Sequence, residues 1–167
     1  KTTTHGLRVT SLEMCLVMNG RVKMDDVELH ILEWIDKISK TRSELGGMPV
    51  CPFAKKARYK IEYLTDLNIN PVLGSLELIV YVLDNKYTFE QLDNISKEYN
   101  SLHPSLVFLP DGKNRYSNIN GVQTSNGKYN ILLCQDRAGL QEGRNKLQNT
   151  SYYSFWDKDY LKEILEQ

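Results

Sequence analysis

A strand–helix–strand unit between residues 75 and 109 constrains the fold more than any other feature of the sequence. The apolar run SLELIVYVL at 75–83 has the length and composition of a buried central strand. Thr88 and Gln91 then form a capping box, which predicts the start of a helix. The run SLVFL at 105–109 predicts a second short strand. A chain with this unit needs a sheet on which a helix packs.

Two further patterns precede this unit. An apolar stripe runs through DDVELHILEWIDKISK at 25–40, where Asp25 and Glu28 form a capping box. These residues predict an amphipathic helix. RYKIEYL at 58–64 alternates between two faces, which predicts a strand with one solvent-facing side.

A hairpin is predicted after the unit. KYNILLC at 128–134 indicates another strand, and the dipeptide Asn126-Gly127 before it is typical of a two-residue hairpin turn. We therefore expect residues 119–124 to pair with residues 128–134.

The last part of the chain predicts two helices. Asp136 is placed to cap a helix that ends at about residue 148, and Asp157 is placed to cap a final amphipathic helix. The elements together predict a single α+β domain over residues 25–167, with a mixed sheet of about four to five strands covered by about three to four helices. The pattern leaves the structure of the N-terminal segment, residues 1–24, open.

Composition excludes several classes of protein. Apolar residues make up 41% and charged residues 25%, which is typical of a globular domain. Lys plus Arg and Asp plus Glu both number 21, so no net charge favours nucleic acid or anionic lipid. No apolar run is long enough to span a bilayer. We predict no nucleic-acid partner, no membrane, no metal and no cofactor.

The three cysteines are Cys15, Cys51 and Cys134, and their wide, odd-numbered spacing fits neither a disulfide framework nor a metal site. A reducing compartment is therefore favoured, and we predict a cytoplasmic protein. Cys51 lies in GGMPVCPFAKKA at 46–57. A short helix starting at Pro52 would make Cys51 its N-cap and lower the pKa of the thiol.

The segment CPFAKKA at 51–57 resembles the Cys-Pro-Phe start of glutaredoxin and glutathione-transferase-like thioredoxin folds. It is also similar to a CPFA segment of an uncharacterised bacterial family. The resemblance implies a catalytic thiol at Cys51, whose pKa Lys55 and Lys56 would lower further. The alternative is a packed cysteine at the corner between the helix at 25–40 and the strand at 58–64.

Two groups of basic residues are candidates for binding an anion. Lys55, Lys56, Arg58 and Lys60 form the densest basic cluster of the chain, and the alternative explanation, a solvated surface beside Glu62 and Asp66, is favoured. Arg137 and Arg144 lie seven positions apart, near one face of the predicted helix, where they could clamp an acidic group. Aromatic residues follow Arg144 at 152–156, and packing of the last helix explains them without a ligand.

The loop at 110–127 is the third candidate site. An 18-residue connection is long for a compact domain and often functional, and this one carries Arg115 among many hydrogen-bonding side chains. No complete catalytic constellation is visible. We therefore predict a protein that acts through interaction or assembly, by a protein partner or self-association, with a surface formed by this loop and the C-terminal aromatic region. The alternative is a thiol-dependent enzyme or a domain that binds a small anionic ligand at Cys51.

Overall fold

The computed structural model describes residues 18–165. Its α-helices are α1 (Met18–Ser39), α2 (Phe89–Leu102), α3 (Arg137–Gln148) and α4 (Lys158–Leu165). Its strands are β1 (Thr41–Arg42), β2 (Met48–Pro49), β3 (Tyr59–Leu64), β4 (Leu78–Leu83), β5 (Leu106–Asp111), β6 (Asn118–Ile119), β7 (Val122–Gln123) and β8 (Asn130–Asp136). Short 3-10 helices occupy Ser43–Leu45 and Tyr152–Phe155.

The central sheet has four strands in the order β3-β4-β8-β5. β3 runs parallel to β4, whereas β8 is antiparallel to both of its neighbours. The predicted strand–helix–strand unit is confirmed as β4–α2–β5, and β8 lies between its two strands. The α+β class and the mixed sheet are therefore as the sequence predicts.

One face of the sheet packs against α2. Alternate residues of β4 point to this face, including Tyr81, and Leu92 of α2 packs against them with no exposed surface. The predicted capping box starts α2: the Gln91 backbone N–H donates to Thr88 Oγ1 at 3.2 Å, and the Thr88 N–H donates to Gln91 Oε1 at 2.8 Å. Local sequence and burial thus specify the same helix.

The opposite face packs against α1. Val80 and Val82 of β4 contact Ile31 and Ile35, so the predicted apolar stripe is confirmed. The predicted helix start is wrong, because α1 begins at Met18 and Asp25 lies inside it. The stripe continues to Ile38, where the third cluster begins.

The third cluster surrounds the C-terminal end of α1. Its buried residues are Ile38, Leu45, Val50, Ile119 and Val122. The two small antiparallel pairs, β1–β2 and β6–β7, contribute to it together with the C-terminal aromatic side chains Phe155, Trp156 and Tyr160. None of the helices between residues 18 and 165 combines the length and apolarity needed to cross a bilayer.

The predicted hairpin is wrong. β6 pairs with β7, and the turn between them is Asn120-Gly121, both in the left-handed region with φ of 47° and 82°. A two-residue turn with two positive φ angles matches the twist of a hairpin. Asn126 instead uses its side chain in hydrogen bonds to Asp111 and to the Tyr129 backbone.

Candidate functional site

Cys51 lies at a corner that is held by the main chain. Its N–H donates to the Ile38 carbonyl at the end of α1, with an N···O distance of 2.8 Å. Residues 52–56 form turns, so the helix predicted from Pro52 is absent. The Cys51 side chain is half-buried and packs against the third cluster.

The environment of the Cys51 thiol has the opposite effect to the one the sequence predicts. Burial raises the pKa of Cys51, and hydrogen bonds from the backbone N–H groups of Phe53 and Ala54 offset this only in part. The thiol is therefore neutral at neutral pH, and the predicted lowering of the pKa is wrong. A catalytic role for Cys51 stays a prediction.

The basic cluster beside Cys51 faces solvent. Lys55, Lys56 and Arg58 are exposed. The Arg58 guanidinium lies 3.8 Å from a Glu77 carboxylate oxygen, and the Arg58 backbone N–H donates to the same oxygen at 2.8 Å. An exposed pair of this kind contributes little free energy. The structure thus shows these side chains on the surface, and anion binding by them stays a prediction.

Loop 110–127 is organised by its own hydrogen bonds. Asp111 Oδ2 accepts from the backbone N–H and the side-chain Nδ2 of Asn126, at 2.8 and 2.7 Å. Burial raises the pKa of Asp111, although these bonds and the charge of Arg115 oppose the effect. The Arg115 guanidinium lies 4.0 Å from the centre of the Phe89 ring, a cation–π contact that accounts for this predicted ligand residue.

The loop is also fixed to α1. Trp34 Nε1 donates to the Thr124 carbonyl at 2.9 Å, and His30 Nε2 lies 3.2 Å from the Asn126 carbonyl oxygen. The polar residues of this loop thus largely satisfy one another and α1.

The C-terminal aromatic residues mostly face inward. The buried Tyr152 donates its hydroxyl hydrogen to the Val50 carbonyl. Its ring contacts Tyr153 and Trp156, and Trp156 stacks on Tyr160 with ring centres 5.5 Å apart. These contacts anchor the end of the chain to the corner that carries Cys51.

A concave site lies between α3 and the chain that enters β5. It is a cleft of about 390 Å³, within the usual range for small-ligand sites. Asp136 caps α3 as predicted, because its Oδ2 accepts from the Gly139 N–H at 2.7 Å. The cap fixes the first turn of α3, and both predicted arginines line the cleft.

Arg137 is held in place by backbone carbonyls. Its Nε donates to the Pro104 carbonyl at 2.8 Å, and one Nη donates to the Leu106 carbonyl at 3.0 Å. Its own N–H donates to the Ser105 carbonyl at 2.9 Å. Arg137 therefore joins α3 to the start of β5 and brings a positive charge to the cleft.

Arg144 is the unusual residue of the site. Its exposed fraction is 7%, yet within residues 18–165 no hydrogen bond or ion pair to its guanidinium is present. Burial lowers the pKa of Arg144, and the charge of Arg137 adds to the effect. Arginine titrates so far above neutrality that it stays protonated. The guanidinium is thus charged and largely enclosed, with Tyr153 near enough to favour its charged form and no described carboxylate paired with it.

The rest of the lining determines what the cleft favours. Two guanidinium groups and the Asp136 carboxylate leave one net positive charge. The remaining wall is largely apolar, formed by Pro104, Val107, Ala138 and Leu140. Such a surface matches a molecule with one negative group and an apolar body.

Comparisons with protein families, with curated proteins and with solved structures found no match to this chain. The resemblance of CPFAKKA to thioredoxin-fold sites and to the CPFA family therefore stays a prediction. Among the side chains that the structure describes, no group of three or more His, Cys, Asp or Glu is arranged to hold a metal ion.

Sequence reasoning identified Arg137 and Arg144 but not the wall that buries Arg144. That wall includes Pro104, Ser105 and Val107, which are distant from α3 in sequence. The spacing of seven residues indicates a shared helical face, yet it carries no information on burial. A signal was present in Leu140, which lies one turn from each arginine on the same side of the helix.

Proposed function

We propose that the protein binds a small organic anion in the cleft between α3 and β5. The observation that supports this most is the buried guanidinium of Arg144, which lines the cleft without a partner. A guanidinium that is largely removed from water loses part of its hydration, and an anion that pairs with it offsets that cost. A protein that keeps such a charge beside an open cleft is suited to a ligand of opposite charge.

The chemistry of the ligand follows from the lining. A guanidinium presents paired N–H donors that match the two oxygens of a carboxylate. Arg137, held by the carbonyls of Pro104 and Leu106, adds long-range attraction. Asp136 disfavours a second negative charge close to the first turn of α3. We propose a monocarboxylate with a compact apolar or aromatic body.

Titration calorimetry with benzoate and its neutral isostere benzamide tests the proposal. We expect benzoate to bind the wild type more tightly than benzamide does. Arg144→Met keeps most of the side-chain volume but removes the charge, so benzoate affinity should fall by roughly 10- to 100-fold, as expected for a charged hydrogen bond. Lys146→Met is the matched control, because Lys146 lies on the exposed side of the same helix.

Equal affinities for benzoate and benzamide, or an unchanged affinity in Arg144→Met, would contradict the proposal. Loss of binding in Lys146→Met would show that net charge rather than the cleft is responsible. Circular dichroism of each variant confirms that the fold is retained before binding is compared.

A second candidate function is the predicted interaction surface over loop 110–127. The observation that favours it is Tyr116, which is 73% exposed beside Arg115 in an otherwise well-bonded loop. An exposed aromatic side chain on a fixed loop suits a protein partner. Tyr116→Ser should weaken capture of that partner without changing benzoate affinity, and unchanged capture would remove this candidate. For either function we propose a cytoplasmic location, as the dispersed cysteines favour.

A further inference from the structure

The two edges of the central sheet differ in what they offer to another strand. β5, at one edge, is closed by side chains: Asn100 donates to the Phe108 carbonyl at 2.9 Å and accepts from the Phe108 N–H at 2.8 Å. Arg137 binds the Leu106 carbonyl, and Pro110 has no N–H to donate. The outward groups of Leu106 and Phe108 are therefore occupied, and Pro110 lacks a donor.

β3, at the other edge, is open. The carbonyls of Arg58 and Leu64 accept hydrogen bonds from the β4 side, from Leu78 at 3.3 Å and from Asp84 at 3.2 Å. Backbone groups of successive residues in a strand point alternately to its two sides. The N–H and C=O groups of the odd-numbered residues Tyr59, Ile61 and Tyr63 consequently face away from the sheet, where no described strand pairs with them.

The sequence of this edge is complementary to itself. In an antiparallel pair of β3 strands centred on Ile61, Lys60 of each copy lies opposite Glu62 of the other, and Tyr59 lies opposite Tyr63. The backbone N–H and C=O of Ile61 face away from the sheet. In this register Ile61 therefore forms a hydrogen-bonded pair with Ile61 of the other copy. Lys60 and Glu62 then form the closer, non-hydrogen-bonded pairs, where opposite charges attract most.

Neighbouring registers lack this match. A two-fold axis at Lys60 or at Glu62 would set like charges directly opposite each other, and an axis at Tyr59 would set Lys60 opposite Arg58. Lysine on an edge strand usually prevents pairing. Here Lys60 opposes the registers centred on Lys60 and on Tyr59, and Glu62 opposes the register centred on itself, whereas the register centred on Ile61 pairs the two opposite charges.

Apolar side chains flank the open edge. Tyr63 on β3 is 41% exposed. Glu28 of α1 lies near enough to Tyr59 to raise the pKa of its hydroxyl, in addition to the larger effect of burial. Leu32 lies one helical turn after Glu28 on the same side of α1 and is 42% exposed. A second copy at this edge would cover apolar surface as well as backbone groups.

We propose that two copies of this protein pair antiparallel through β3, centred on Ile61, and join their sheets into one. The interface is isologous, so it closes after two copies. This inference does not depend on ligand binding in the cleft, which lies at the opposite edge of the sheet.

Sedimentation equilibrium over a concentration series tests the pairing. We expect the wild type to show a reversible monomer–dimer equilibrium. Lys60→Glu and Glu62→Lys each place like charges in both cross-strand pairs, so each should weaken the dimer by at least about tenfold. Lys60 and Glu62 also pair with each other at 2.7 Å within β3, with side chains 40% and 39% exposed, so each single variant loses an exposed ion pair that contributes little free energy. The double variant keeps that pair. Lys97→Glu on α2 is the matched control, with a side chain that is 70% exposed.

Two combinations identify the register. Mixing the Lys60→Glu and Glu62→Lys proteins should restore dimers that contain one copy of each, and the double variant Lys60→Glu/Glu62→Lys should dimerise by itself. A wild type that stays monomeric throughout the series overturns the proposal. So does a dimer that charge reversal leaves unchanged, or one that neither combination restores.

Discussion

Loop 110–127 and the α3 cleft use their polar groups in opposite ways. The loop directs its groups at one another: Asn126 alone bonds to Asp111 and to the backbone of Lys128 and Tyr129. The cleft leaves the guanidinium of Arg144 without a described hydrogen bond or ion pair, although the residue is as buried as Asn126, each being 7% exposed.

The difference shows why polar composition alone is a poor guide to a binding site. A polar residue that is satisfied within the fold stabilises the loop that carries it. A charge that is largely removed from water without a paired anion destabilises the fold. The loop therefore satisfies its polar groups within the fold, whereas we propose that a ligand completes the cleft. Three predictions test this contrast.

Breaking the hydrogen-bond network of loop 110–127 should have the largest effect on stability. Asn126→Ala removes hydrogen bonds to Asp111 and Tyr129 in a buried position, so the free energy of unfolding should fall by about 2–4 kcal/mol. Urea unfolding followed by circular dichroism measures the change. Asn145→Ala, at an exposed position of α3, is the control and should change the free energy by less than about 0.5 kcal/mol. A similar small change in Asn126→Ala would mean that the loop is not held by this network.

The acid dependence of stability should show a smaller effect of the same network. Burial raises the pKa of Asp111 in the folded protein above its unfolded value, so the folded state binds the proton more tightly. The contribution of Asp111 to stability therefore increases as the pH falls through the raised pKa, and it is lost as the pH rises. Asp111→Asn should remove this contribution.

Urea unfolding of the wild type and Asp111→Asn across the acid range measures it. The stability of the wild type relative to the variant should rise as the pH falls and level off below the unfolded pKa. A difference that stays constant, or that changes in the other direction, would show that burial does not control this carboxyl group.

The sequence predicted the elements whose signals are local. The capping box of Thr88 and Gln91 and the N-cap at Asp136 are made by neighbouring residues, and both are present as expected. The hairpin at Asn126-Gly127 was predicted from a signal just as local, but a distant carboxylate, Asp111, competes for the asparagine side chain. The start of α1 was misplaced because the Asp-x-x-Glu spacing of a capping box also occurs inside helices, as it does here in α1.

The candidate site could be predicted only in part for a related reason. Two arginines seven positions apart indicate one face of a helix, and the structure confirms that both line one cleft. Whether a guanidinium is buried depends on the residues that pack against it. For Arg144 these include the cleft wall formed by the connection between α2 and β5. The thiol prediction at Cys51 was wrong in the direction of its pKa, because burial outweighs the nearby N–H groups.

The stability of Arg144→Met, with and without ligand, tests the central claim most directly. Removing a largely desolvated charge should raise the free energy of unfolding by about 1–3 kcal/mol in the absence of ligand. Benzoate at 100 times its wild-type Kd should stabilise the wild type by about 2.7 kcal/mol, but Arg144→Met by only about 0.4–1.4 kcal/mol, because the affinity of the variant is 10- to 100-fold lower. A variant that is less stable than the wild type and gains as much stability from benzoate would show that Arg144 is a structural residue and that the anion binds elsewhere.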